Sequence, residues 1–231
     1  MMDCAAVHPY RSGRYDNSSS EPLRPGGLEL TRLAVQYAGF AEGDRILDLG
    51  CGEGAGTQLL TQHGCRAIGL DTLPASLATA AERLPGLPLI AASARRLPFA
   101  DASLDGILAE CSLSLVDRRD EVLAECHRVL RSGGRLAITD VYARNTVSRD
   151  QSQPACLSGM APQNEIMAAL ADTGFRVERW EDHSQVLKVF MARLIFECDS
   201  TDALWADDAA TLNTALKQSR PGYFLLIAVK N

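Results

Sequence analysis

Residues 46–60, ILDLGCGEGAGTQLL, restrict the fold more than any other stretch of this chain. A short apolar run containing Asp48 leads into glycines at 50, 52, 54 and 56, and an amphipathic segment follows. Glycines let a backbone approach a ligand closely, and a helix starting after the turn points free N–H groups at it. Strand, glycine turn and helix in that order make a ligand-binding turn at the edge of an α/β sheet. The rest of the chain has to supply that sheet.

It does so in rhythm. The pattern predicts strands at 45–49, 66–70, 87–91, 104–109 and 135–142, with helices at 56–63, 74–84 and 118–130 between them. A helical period also begins at Leu28. Val122, Leu123, Cys126, Val129 and Leu130 form one apolar face of the 118–130 helix, and Gly133-Gly134 is read as its stop. Alternation of this kind implies a parallel sheet with helices on both faces. After Tyr142 the rhythm breaks, and residues 143–162 read as a loop or lid. Helices at 163–172, 184–197 and 203–217 and strands at 175–180 and 222–230 complete the chain. The expected organisation is an N-terminal arm, 1–27, and a single domain, 28–231.

A chain of 231 residues suits one large domain with a sizeable core. At 46% hydrophobic and 23% charged residues its profile is that of an ordinary soluble protein. The net charge is −6 and no Lys/Arg run stands out, which argues against a duplex or tRNA partner. The seven cysteines, at 4, 51, 65, 111, 126, 156 and 198, are scattered and form no Cys-x-x-Cys pair. A disulfide scaffold or zinc ribbon is not expected, and reduced thiols suit a cytoplasmic setting. The first twenty residues lack an apolar signal core, and no apolar run reaches membrane-spanning length. A monomer or homodimer is the expected assembly.

Charge narrows the ligand. Gly50-x-Gly52-x-x-Ala55 also satisfies a relaxed dinucleotide fingerprint. But Asp48 and Glu53 would repel a pyrophosphate, whereas a ligand carrying an amine and a sulfonium meets no such objection. Asp71, ending 67-AIGLD-71, can accept from both hydroxyls of a ribose; its alternative is a helix N-cap.

The segments ILDLGCGEGAGT, AIGLD, LPFADASLDGILAE and ECHRVLRSGGRLAITD resemble the class I S-adenosylmethionine-dependent methyltransferases. They are most similar to the small-molecule subgroup that includes quinone and sterol C-methyltransferases. The resemblance spans roughly residues 28–142. It implies a Rossmann-like, seven-stranded, mostly parallel sheet with the last strand antiparallel, S-adenosyl-L-methionine as cofactor, and a small-molecule methyl acceptor. Carried over by position, it implies that Asp48, Gly50, Cys51, Gly52 and Gly54 flank the methionine end. Asp71 would hold the ribose, Thr72 and Leu73 the adenine face, and Ser93 and Ala94 its edge. Glu110 and Cys111 would face the methyl group. Where the family has Asp-Ala before LPF, this chain has Ser93-Ala94, a neutral acceptor in place of a charged one.

The candidates for chemistry are Glu110, Cys111 and His183. Glu110 and His183 would serve as a general base if the acceptor is protonated. Cys111 is read either as packing or, with Cys156, as a thiol pair suited to a soft acceptor such as arsenite or another thiol. Tyr10, Tyr15 and Tyr142 are candidate pocket walls, and residues 8–27 a candidate cap over the cofactor. Three functions compete: a methyltransferase, a nicotinamide-dependent oxidoreductase, and a binding module without turnover. Glu53 and the 97–105 segment count against the second.

Overall fold

The computed structural model describes residues 22, 24–116, 118–145, 159–197 and 217–231. In chain order these form α1 (Gly27–Ala38), β1 (Arg45–Leu49), α2 (Ala55–Gln62), β2 (Arg66–Asp71), α3 (Pro74–Arg83), β3 (Leu89–Ala91) and β4 (Leu104–Glu110). A 3-10 turn (Leu113–Leu115), α4 (Arg119–Val129), β5 (Leu130–Ala143), α5 (Gln163–Asp172), β6 (Phe175–Asp182), α6 (Ser184–Glu197) and β7 (Pro221–Lys230) follow.

The strands make one seven-stranded sheet in the order β3-β2-β1-β4-β5-β7-β6. β1 pairs parallel with β2 and β4, β2 with β3, and β4 with β5; β7 runs antiparallel to both β5 and β6. The expected architecture, with its last strand reversed, is the one observed. The central strands are apolar at nearly every position because a parallel sheet covered on both faces exposes neither. On one face Leu30, Ala34 and Val35 of α1 pack with Leu59 and Leu60 of α2 and with Phe40. On the other, Val122, Leu123, Cys126 and Val129 of α4 pack with Ile166 and Leu170 of α5. Cys65 and Cys126 are buried, Cys126 on the apolar helix face read from the sequence.

One reading is corrected. The 118–130 helix does not run on to the Gly133-Gly134 pair: it ends at Val129, Leu130 is already extended, and both glycines lie inside β5. Pairing of Leu104 with Leu130 starts the strand early, through a bulge before Gly106 meets Arg135. Sheet pairing here outweighs the local glycine signal. His127 is half-buried and sets its ring edge-on to Phe175 at 5.3 Å. Tyr10, Tyr15, most of the 8–27 arm, Cys156, residues 146–158 of the loop and most of the 203–217 helix lie outside the described residues.

Gly106 of β4 sits against Phe40 and Ile46 with no room for a side chain. A Cβ there would lie 2.3 Å from Phe40 Cε1 and 2.9 Å from Ile46 Cδ1. Gly106→Ala is therefore expected to cost about 2–3 kcal/mol, the upper range for overpacking. In a thermal melt that appears as a fall of several degrees; an unchanged midpoint would mean that Phe40 is free to move aside.

Candidate functional site

β1 leads outward to β2 and β3 on one side, and β4 starts the other half of the sheet. The crevice at the carboxyl ends of β1 and β4 is thus the topological switch point, where α/β sheets bind ligands. Asp48 and the glycine loop arrive there from β1, and Glu110 and Cys111 from β4.

The loop is built by backbone geometry. Gly50, Gly52 and Gly54 all have positive φ (79°, 53° and 84°). The Gly50 and Cys51 N–H groups donate to Leu70 O at 2.8 and 3.0 Å, tying the loop to β2. Asp71 completes the tie: its Oδ2 accepts from Gly52 N at 2.9 Å and its Oδ1 from Leu73 N at 2.9 Å. So Asp71 shapes both the glycine loop and the entry to α3, with lone pairs left over. Cys51 is buried, its Sγ 3.8 Å from Gly52 O, and burial pushes its thiol upward. Glu53 is paired with Arg83 of α3, which explains how a carboxylate sits in the loop. Thr72 and Ser93 are exposed, Leu73 and Ala94 half-buried, and Ser93 Oγ accepts from Arg95 N at 3.3 Å.

Behind the loop lies a buried ionic cluster. Asp48, 3% exposed, accepts from Thr57 Oγ1 at 2.7 Å. Burial first, and the neighbouring Glu110 charge second, push its carboxyl up to about 7. Both carboxylates converge on Gly56 at the start of α2, where a Cβ would lie 2.8 Å from Asp48 Oδ2 and 3.3 Å from Glu110 Oε2. Glu110 pairs with Arg24 at 2.8 Å and lies 3.0 Å from Thr31 Oγ1 and 3.4 Å from Thr139 Oγ1. Its carboxyl is also raised, since burial outweighs the Arg24 charge. From Thr139 the chain of contacts runs to Tyr223 OH (3.3 Å) and on to Cys111 Sγ (2.9 Å). Cys111 holds φ at 48°, a strained value for a side-chain-bearing residue. Burial and the Asp140 charge push its thiol up to about 12, so it stands protonated at neutral pH.

Sequence-predicted residues Asp48, Gly50, Cys51, Gly52, Gly54, Asp71, Glu110 and Cys111 are thereby brought to one crevice. His183 is not brought to it. It follows β6, two strands beyond β5 in the sheet, with its ring 3.2 Å from Glu181 Oε2. Tyr142 also points away: its hydroxyl donates to Asp182 at 2.6 Å and its ring meets Trp180 edge-on. Sequence reasoning missed Arg24, Thr31 and Tyr223, none of which sits in a motif, and Thr139, which lies near the end of the ECHRVLRSGGRLAITD segment. It also missed Asp140, which is buried with Oδ2 accepting from Ser114 N at 2.9 Å. Asp140, Leu113, Ser114, Arg119, Ile166 and Phe224 line a small, half-open cavity of about 20 Å³ beside the β4 turn.

A family profile described as a methyltransferase domain matches residues 47–138. The O-methyltransferase resE of Aspergillus sclerotiorum is 34% identical over 184 residues, 72% of this chain and 68% of that protein. The chain belongs to the methyltransferase family. A second relative, the O-methyltransferase rstn1 of Aspergillus nomiae, is 32% identical over 74% of this chain and 81% of its own length. Among solved structures, phosphoethanolamine N-methyltransferase 2 of Haemonchus contortus, in complex with S-adenosyl-L-methionine, superposes with a TM-score of 0.73. That structure is 20% identical, over 96% of this chain and 56% of its own, and speaks for the fold.

This methyltransferase uses S-adenosyl-L-methionine and a small-molecule acceptor. The residues present fit that cofactor. A Cβ at Gly52 would enter open space, the cradle a ligand needs. Arg24 Nε is sealed from solvent with no partner among the described residues. The acidic pair and the glycine loop suit a cationic amino-acid end and a nucleoside, and the sulfonium supplies an already activated methyl group.

Proposed function

We propose that this methyltransferase transfers the methyl group to a hydroxyl oxygen of a small, largely apolar acceptor. The observation that carries the reading is that two relatives aligned over more than two thirds of both chains are O-methyltransferases. The cavity beside β4 supports it, being apolar except for Ser114, Arg119 and Asp140. In this reading Asp48, the glycine loop, Asp71, Thr72, Leu73, Ser93 and Ala94 seat the cofactor. The acceptor oxygen attacks the methyl carbon in line with the bond to sulfur, and alignment with exclusion of water supplies much of the rate.

An oxygen nucleophile has to lose its proton as the new bond forms. Glu110 is engaged by Arg24, and His183 stands on the far side of β7. Asp140 is the better candidate base, because it lines the cavity beside β4 and burial raises its carboxyl above the usual carboxylate range. Cys111, protonated and held by Tyr223, favours oxygen over thiol or arsenite as acceptor. No helix among the described residues is long and apolar enough to cross a membrane. A cytoplasmic monomer or homodimer completes the proposal.

The test is incubation of the full chain with S-adenosylmethionine and a panel of phenols, alcohols, carboxylic acids, thiols, amines and arsenite, followed by mass spectrometry of the products. Methyl ethers or esters are expected. Methylation confined to sulfur, carbon, nitrogen or arsenic would overturn the oxygen assignment.

A further inference from the structure

Arg24 is an unusual residue to find at the switch point, because it comes from the arm before α1. Its Nη2 donates to Thr31 Oγ1 at 2.6 Å and lies 2.8 Å from Glu110 Oε2. Its side chain is 13% exposed, and Glu110's is 3% exposed. Burial disfavours its charge, and the Glu110 and Asp48 carboxylates outweigh that and favour the cation. Yet Nε makes no bond within the described residues although it is closed to water. An unsatisfied buried donor on a charged group is costly, and such exceptions are rare enough to require a cause.

Charge gives the cause. Arg24, Asp48 and Glu110 together leave one net negative charge in a dry crevice. The amino-acid end of a sulfonium cofactor carries an ammonium, a carboxylate and the sulfonium, one net positive charge. The two sets cancel, provided that the ligand's ammonium meets the carboxylates and its carboxylate meets the arginine. Guanidinium geometry fits this assignment, since its planar fork has one arm on Glu110 and an idle donor at Nε.

We propose that Arg24 is a specificity-determining residue that takes the α-carboxylate of the cofactor's amino-acid end, while Asp48 and Glu110 take its α-ammonium. The arm thus contributes a side chain to the site. The competing explanation is that Arg24 only neutralises Glu110 for folding. This inference rests on the glycine loop's holding the cofactor, so its test separates the two.

The full chain is titrated calorimetrically with S-adenosylmethionine and with its decarboxylated analogue, which keeps the nucleoside, sulfonium and amine. Wild type is expected to prefer the carboxylate-bearing ligand by about 30–100-fold, the scale of a buried charge-assisted contact. Arg24→Gln should bring the two ligands to within about threefold of each other, with the decarboxylated one little changed. Arg24→Lys, which keeps the charge but not the fork, should fall between. Should Arg24→Gln fail to fold, the double variant Arg24→Gln/Glu110→Gln removes the stranded carboxylate and should show the same lost preference. Equal weakening of both ligands, or an undiminished preference, would overturn the role of Arg24 and leave the cofactor site standing. Wild type that binds neither ligand would overturn the cofactor site and this inference together.

Discussion

Asp48→Asn is expected to do two opposite things: weaken S-adenosylmethionine binding by about 30-fold or more, and make the ligand-free protein more stable at pH 8. Both follow from one carboxylate buried beside another. In the folded protein Asp48 titrates at about 7, against about 3.9 in an unfolded chain. Its folded-state value is raised, so its stabilising contribution is full below pH 4 and is lost as pH rises through 7. At pH 8 the ionised group costs the fold about 2–4 kcal/mol, the scale of its shift. Asparagine removes that cost while keeping an acceptor for Thr57. The melting temperature of the variant should exceed wild type by several degrees at pH 8, and the difference should shrink toward pH 4. The binding loss arises because an ammonium in a dry crevice loses a counter-charge. Wild-type affinity for the cationic cofactor should accordingly climb as pH rises to about 7 and then level, since the protonated acid offers no charge. A variant destabilised at every pH, or one that binds the cofactor normally, would falsify this account of Asp48.

The second large effect separates two glycines two residues apart. Gly50 and Gly52 both hold positive φ, so alanine strains each by about 1–2 kcal/mol. Their surroundings differ. A Cβ at Gly50 would lie 2.7 Å from Ser112 Cβ, whereas one at Gly52 meets nothing within 4 Å. Gly50→Ala therefore adds an overpacking term and should lose about 2–5 kcal/mol of stability. Gly52→Ala should lose only the strain. In binding, Gly52→Ala should still cost at least about tenfold, because its methyl group enters the space assigned to the ligand. The pair is read by thermal melts and by titration with S-adenosylhomocysteine. Normal binding by Gly52→Ala would show that the ligand does not pass over this part of the loop.

Much of this molecule is written locally. The turn at 50–56 and the alternation from 45 to 142 involve neighbours in sequence, so their periods and glycines foretell the sheet and which loop binds. Asp48 and Asp71 were legible for the same reason, being fixed to strand ends by register. Boundaries failed where a distant partner intervened, as when pairing with Leu104 drew Leu130 into β5 past a helix-like pattern.

The composition of the site was another matter. Arg24 and Glu110 are far apart in the chain, as are Cys111 and Tyr223, and no local period connects them. Whether Glu110 is a free base or an ion-pair partner depends on a guanidinium delivered from before α1. Whether Cys111 is a reactive thiol depends on its burial and on the Asp140 carboxylate of β5. The sequence by itself determined the α/β frame, the family and the cofactor-binding loop, because local backbone preferences and hydrophobic period act over a few residues. Only the tertiary structure decided which charges face one another, because burial and Coulomb forces act between groups that the chain order keeps apart.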